Sequence, residues 1–379
     1  MQPSDTSRLS GSTANAFGDR ARTIARIVVA LFVILGGGEL LVRSFIGGPS
    51  AQVYDPGIGY SYLPGGEMFQ AKEGFARLRL NALGMNDEDI GPKNGRCRVL
   101  VIGDSYTAAL QVPREQNFTS VAETLDRRLD VLNAGRDGLF LGDLHKVRAR
   151  LAPQVQADLV VYVISQRAVE ADIRLPDFSV MVDPETGVVK DALMRVEEKE
   201  ELKQTFAPLL RNSALATRLA SQLQPSVVGA QQELGAWRNR FSPNPAPAAS
   251  RGPAAVASAS NEDILSFMFR RLAQDSPTAL LYINALQYKP GRRAFVGPSS
   301  GAAEVVARRA AARAGVRFYA TSEYLIESVE RTGQPPYGFG NALLPGGHLN
   351  AAGHRAVGAA LAALVRDMSP ALASECGGR

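Results

Sequence analysis

The chain has only two cysteines in 379 residues, Cys97 and Cys376, and neither stands in a Cys-x-x-Cys pair or beside a histidine cluster. That excludes a disulfide-scaffolded fold and offers no zinc-site spacing, while leaving one long-range bridge open. Histidine is nearly as scarce, so imidazole chemistry has only His145, His348 and His354 to draw on. The formal charge is +5, but the 42 lysines and arginines are scattered and aromatics make up 7% of residues. A basic stripe with interleaved rings is missing, which argues against nucleic acid as a partner. No repeat at solenoid or propeller period occurs. The rest, 45% hydrophobic and 21% charged, is ordinary globular composition.

One long apolar run is present, from Thr23 to Val42, with a purely apolar centre from Ile27 to Gly38. Its length suits a helix across a bilayer. Arg20, Arg22 and Arg26 precede its apolar centre and only Arg43 comes closely after the run, so the positive-inside bias keeps the N-terminus in the cytoplasm and exports the remainder of the chain. A cleaved signal peptide is the rival reading, but no A-x-A-like site comes after the apolar core. The expected organisation is a tail at 1–22, a transmembrane anchor at 23–46 in contact with membrane lipid, and an approach segment at 47–95. Glu39 is a polar cost near one end of the anchor.

From Arg96 apolar strand-like runs alternate with helical patterns: strands at 97–102, 130–134 and 158–164, helices near 114–129 and 142–152. The alternation stops at 171–260, an insertion with a turn signal at Asp183-Pro184-Glu185-Thr186-Gly187, helical stretches near 195–204 and 213–223, and a Pro/Ala/Ser-rich linker from Ser242 to Ser260. It resumes at 261–379 with a helix at 261–275 capped by Asn261, strands at 278–284 and 316–320, and helices at 301–314 and 351–366. This pattern predicts a three-layer α/β/α sandwich on a five-stranded parallel sheet, split into 96–170 and 261–379 by the insertion.

Chemistry concentrates at the ends of the first strand and before the last helix. Gly103-Asp104-Ser105-Tyr106 comes directly after the buried run Val99-Leu100-Val101-Ile102, which puts a serine hydroxyl at the C-terminal edge of the sheet, where open α/β folds bind ligands. Asp104 is read as a turn-stabilising side chain. His348, in Gly347-His348-Leu349-Asn350, precedes the final helix and is the candidate base. His354 is assigned to surface or packing, and His145 has no role.

Val99 to Thr107 resembles the first block of the SGNH (GDSL-type) hydrolases, Val131 to Gly138 the second, and His348 with Asn350 and Gly353 the last. The resemblance implies a flavodoxin-like fold in which Ser105 is the nucleophile, His348 the base, and the N–H groups of Ser105 and Gly138 the oxyanion donors. Two positions depart from the family pattern. The asparagine after the third strand is replaced by Ser165-Gln166-Arg167, which leaves Gln166 as a substitute donor, and the aspartate before the histidine is replaced by Pro345 and Gly346. Tyr54-Asp55-Pro56, Tyr62-Leu63-Pro64-Gly65 and Leu80-Asn81-Ala82-Leu83-Gly84 resemble the lead-in of membrane-tethered members tied to bacterial surface polysaccharides. That likeness implies acetyl esterase or acetyltransferase work on a polysaccharide beyond the cytoplasmic (inner) membrane, with the main domain in the periplasm or outside.

Two readings therefore stand: a serine O-acyl esterase or acyltransferase, using a Ser105–His348 dyad or a carboxylate from elsewhere, and a degenerate SGNH-fold structural subunit of a membrane protein complex. A carbohydrate-binding module without turnover is a third. Neither a metal nor an organic cofactor is called for.

Overall fold

The computed structural model describes residues 9–45, 51–55, 58–71, 73–175, 178–194, 208–220, 259–289, 294–298, 301–342, 346–372 and 376. The helical stretch near 195–204 and most of the Pro/Ala/Ser-rich linker, both read from the sequence, lie outside these residues.

Strand β1 (Cys97–Ile102), β2 (Leu129–Asn133), β3 (Leu159–Ser165), β4 (Thr278–Ile283) and β5 (Arg317–Ala320) form one parallel sheet in the order β5-β4-β3-β1-β2. Each of β1, β2, β3 and β4 is buried along its whole length, which is why apolar residues dominate these segments: helices cover both faces, and the charged exceptions, Arg98 in β1 and Asp130 in β2, pair with each other at 2.7 Å. Alternate side chains go to opposite layers. Leu100, Ile102, Tyr162, Ile164, Leu280 and Tyr282 join helices α4 (Leu144–Val155), α6 (Asn261–Leu272) and α7 (Gly301–Ala314) in one core. Val99, Val101, Val161, Val163 and Leu281 join α3 (Phe118–Leu125), α8 (Ser322–Thr332) and α9 (Ala351–Met368) in the other. The architecture is a three-layer α/β/α sandwich of flavodoxin-like strand order, whose switch point lies between β1 and β3.

Local differences from the sequence reading have plain causes. Helix α6 is capped by Ser260, not Asn261: Ser260 Oγ accepts from Asp263 N while Asp263 accepts from Ser260 N, a reciprocal box that Asn261 is one position too late to make. The predicted helix at 114–129 is a 3₁₀ turn, Arg114–Gln116, and then α3, because Asn117 Oδ1 accepts from Ser120 N and restarts the helix. Helix α8 lies where the sequence reading has no element.

Cys97 and Cys376 are joined by a disulfide across 279 positions of sequence, tying the start of β1 to the end of the chain. Within the predicted insertion, Phe178–Val182 and Val189–Met194 pair as an antiparallel hairpin around the Asp183–Gly187 turn. Helix α1 (Leu9–Phe45) holds the apolar stretch Ala21–Phe45, which has a mean hydropathy of 2.1 and an entirely unburied window. By length and composition it can cross a membrane.

The approach segment is built beyond the C-terminal end of β1. Two short hairpins, Gln52–Asp55 with Gly59–Tyr62 and Glu67–Gln70 with Ala76–Arg79, bury Ala51, Tyr62, Ala76, Leu78 and Leu80 against Ala108 and Leu110. Those last two residues end and succeed α2 (Ser105–Ala108), the helical turn that carries the serine.

Candidate active site

Ser105 is the first residue of α2, directly beyond β1. Asp104 caps that turn by accepting a hydrogen bond from Tyr106 N at 3.0 Å, the turn-stabilising role its place in the sequence predicts; burial raises its carboxyl above the usual range. His348 reaches the same point from the loop before α9, and its Nε2 lies 2.9 Å from Ser105 Oγ. Asn350 holds that loop without touching the imidazole. Its Oδ1 caps α9 at Ala352 N and Gly353 N, and its Nδ2 donates to Pro335 O and Gly338 O.

The carboxylate that the last sequence block lacks comes from the approach segment. Glu73 Oε2 is 2.7 Å from His348 Nδ1, and Glu73 Oε1 accepts from His348 N at 2.7 Å. One carboxylate thus grips both the ring and the backbone of the histidine, giving a chain Glu73–His348–Ser105. In this geometry Nδ1 carries the proton toward Glu73 and Nε2 faces the hydroxyl as acceptor, the tautomer that general-base work needs. The His348 and Glu73 side chains are 29% and 20% exposed, so the site is open to a reactant.

Two glycines make that reach possible. Gly74 has φ +74° and lies against Gln111 O, where a Cβ would collide with backbone. Its N–H is held by Asn341 Oδ1, and Asn341 Nδ2 returns to Ala71 O and Gly74 O, so the turn bearing Glu73 is clamped. Gly347 has φ +97°, and a Cβ there would occupy the place of Glu73 Oε1. No sequence spacing links Glu73 to His348, 275 positions apart. The sole sequence signal is an acid in a glycine turn just before a strand, which is too common to single out.

Around this chain, the Tyr106 ring lies 5.6 Å from the His348 ring, and its hydroxyl points to Gly347 O at 3.4 Å. Burial, with Asp104 and Glu73 nearby, pushes that phenol up to about 12, so it stays a neutral wall. Asp137 is in the turn after β2: its N–H donates to Tyr62 Oη at 2.8 Å, its Oδ1 is buried without a hydrogen-bond partner, and burial raises its carboxyl while nearby His348 lowers it. Gly138 comes next, exposed, with φ +72°. Gln166 starts α5 (Gln166–Glu170), and its Nε2 donates to Glu170 Oε2 at 2.8 Å, so that donor is engaged within its own helix. His354 is not at the surface. It is 1% exposed, stacks on Phe118 at 5.9 Å, and is held neutral, at about 3, by burial and to a lesser degree by the nearby His348. His145 approaches Arg271 Nη2 at 3.3 Å, away from the serine.

No protein-family model matches the chain, and no curated protein matches it. Among solved structures it is similar to a member of the lipolytic G-D-S-L family from Veillonella parvula (11% identity, 70% of this chain and 96% of that one, TM-score 0.34). It is also similar to a G-D-S-L lipolytic protein from Desulfitobacterium hafniense (9% identity, 71% and 99%, TM-score 0.31). An acetylxylan esterase from Geobacillus stearothermophilus, solved as a catalytic mutant, is similar at 14% identity, 76% and 98% coverage and a TM-score of 0.35. Likeness at this level carries no chemistry from those proteins to this chain.

Proposed function

We propose that this protein is a serine esterase of the SGNH type that cleaves or transfers a small O-acyl group on a carbohydrate outside the cytoplasmic membrane. The observation that carries the reading is the Glu73–His348–Ser105 chain, with contacts of 2.7 and 2.9 Å in the order carboxylate, imidazole, hydroxyl. His348 Nε2 takes the Ser105 proton as Oγ attacks the acyl carbon, and Glu73 stabilises the imidazolium that forms. The tetrahedral oxyanion is held by the amides of Ser105 and Gly138. Its collapse breaks the ester C–O bond, and His348 returns the proton to the leaving alcohol. Water, or an acceptor hydroxyl, then repeats the cycle on the acyl-Ser105 ester.

The extracytoplasmic placement has three supports. The arginines ahead of the apolar helix favour export of the domain beyond it. The Cys97–Cys376 bridge suits an oxidising compartment. Glu39, on the helix itself, hydrogen-bonds Ser213, Ala214 and Leu215, so the helix belongs to the fold, as an uncleaved anchor would. The polysaccharide acceptor and the inner membrane rest on the sequence likeness alone.

One observation favours the second reading, a non-catalytic subunit: the Gln166 amide is turned to Glu170. A missing oxyanion donor costs about 10²–10³ in rate, which slows an esterase without abolishing it. Glu73 also removes the other motive for that reading, the lack of an acid. The deciding experiment uses the full chain in detergent with p-nitrophenyl acetate and a fluorophosphonate probe. Turnover and labelling that vanish in Ser105→Ala support the esterase; background turnover in both, with no labelling, selects the subunit. Adding an acetylated glycan with a second sugar as acceptor separates hydrolysis from transfer.

A further inference from the structure

Glu39 sits within the apolar helix α1, about 27 Å along the axis from Ala21 at 1.5 Å per residue, close to the far boundary of a hydrocarbon layer about 30 Å thick. A carboxylate at that depth needs partners. It finds them in the insertion. Glu39 Oε1 accepts from Ala214 N at 2.8 Å, and Oε2 accepts from Leu215 N at 2.9 Å and Ser213 Oγ at 2.8 Å. Arg43 completes the clamp, with Nε on Glu39 Oε1 at 2.6 Å and Nη2 on Asn212 O at 2.8 Å. Leu215 packs over Gly38, where a Cβ would come within 3.3 Å of its side chain. The helical residues 208–212 and 214–220 are therefore fastened at the membrane-exit end of α1.

We infer that residues 208–220 are a second membrane element, lying in the headgroup–acyl boundary of the bilayer that α1 crosses. The inference rests on the anchor reading given above. Leu209 and Leu219 are 56% and 53% exposed, at a level set by the Glu39 clamp. Exposed leucines at that depth make the apolar contact that an interfacial helix offers to lipid. The exposed apolar residues of α1, Phe32 and Leu35 among them, extend along the helix to Leu40 and Leu41, directly after the clamped Glu39. The clamp at 208–220 is then a second attachment that keeps the domain bearing Ser105 close to the membrane.

The test places nitroxide labels one at a time in the full chain, with the Cys97–Cys376 bridge intact, reconstituted in phosphatidylethanolamine/phosphatidylglycerol vesicles. Leu219→Cys reports the inference, Phe32→Cys the anchor, and Asp367→Cys, on α9, the soluble domain. The expected result is a label at 219 that collides several-fold more with dissolved oxygen than with an aqueous nickel chelate, as at 32, and the reverse at 367. Adding Glu39→Ala should shift the 219 label toward water while 32 stays in lipid. A 219 label as wet as 367 while 32 remains in lipid overturns the inference and leaves the anchor standing. A 219 label shielded from both quenchers overturns it in favour of a protein partner, no response to Glu39→Ala overturns the clamp, and a wet label at 32 removes the anchor and this inference together.

Discussion

Replacing Glu73 is the sharpest perturbation of the proposed chemistry, because it separates a catalytic carboxylate from a chance neighbour. In Glu73→Gln the size is kept, but the charge facing His348 Nδ1 at 2.7 Å is lost. The charge centres of a carboxylate and an imidazolium in such contact are about 4 Å apart, and at an effective dielectric near 20 their attraction is about 4 kcal/mol, or roughly three decades in rate. Both side chains are partly exposed, at 20% and 29%, so solvent screening brings the expected loss in kcat to about 10²–10³. The loss should fall on kcat and leave KM for p-nitrophenyl acetate nearly unchanged, since Glu73 contacts the histidine and its hydrogen bond strengthens as charge develops on the ring. Gly347→Ala is the companion: its methyl would occupy the carboxylate's place against the loop and should cost a similar factor although every titratable group is retained. Circular dichroism and melting temperature control for folding. If Glu73→Gln keeps activity within a few-fold of the parent while Ser105→Ala is dead, the carboxylate does not serve the histidine and the reasoning fails.

Tyr62→Phe removes the hydroxyl that holds Asp137 N and leaves that amide unpaired; loosening the turn next to Gly138 should lower kcat about tenfold with a stability loss of about 1–3 kcal/mol, read by kinetics and urea melts. Cys97→Ala with Cys376→Ala, or a reductant, should cost about 2–4 kcal/mol of stability through the closed 279-position loop, while the Ser105 contacts are untouched, so residual activity at low temperature should persist; an unchanged midpoint refutes the bridge's role. His354 is kept neutral by burial, at about 3. Because its folded value is depressed below the unfolded one near 6.5, the stability it supports is complete above pH 6.5 and drains away as pH falls through 3. His354→Phe should flatten that acid limb of the unfolding free energy by a few kcal/mol, and identical pH profiles for the two proteins would count against it.

The buried strands and most of the covered helix faces were legible in the sequence, because burial leaves runs dominated by apolar residues and three-to-four residue spacing; α8 was not read. The serine at the end of β1 was legible for the same reason, since a polar turn after such a run falls at the sheet edge. His348 was legible as a position ahead of α9. The role of Glu73 was not: the third member of the chain comes from outside the sandwich, through a hairpin whose packing on Ala108 and Leu110 decides where a glycine turn lands. Glu39 read only as a cost to the anchor, because its partners at 213–215 lie across a long stretch of chain.

Local pattern, then, determined the layers, the strand positions and two of the three polar groups at the candidate site, since each depends on neighbours within a few residues. Only the tertiary structure decided which acid meets the imidazole, which donor is diverted to Glu170, that the two sulfurs join, and that the insertion returns to α1. Those are contacts between segments far apart in sequence, fixed by the closing of many loops at once, and no short-range periodicity encodes them.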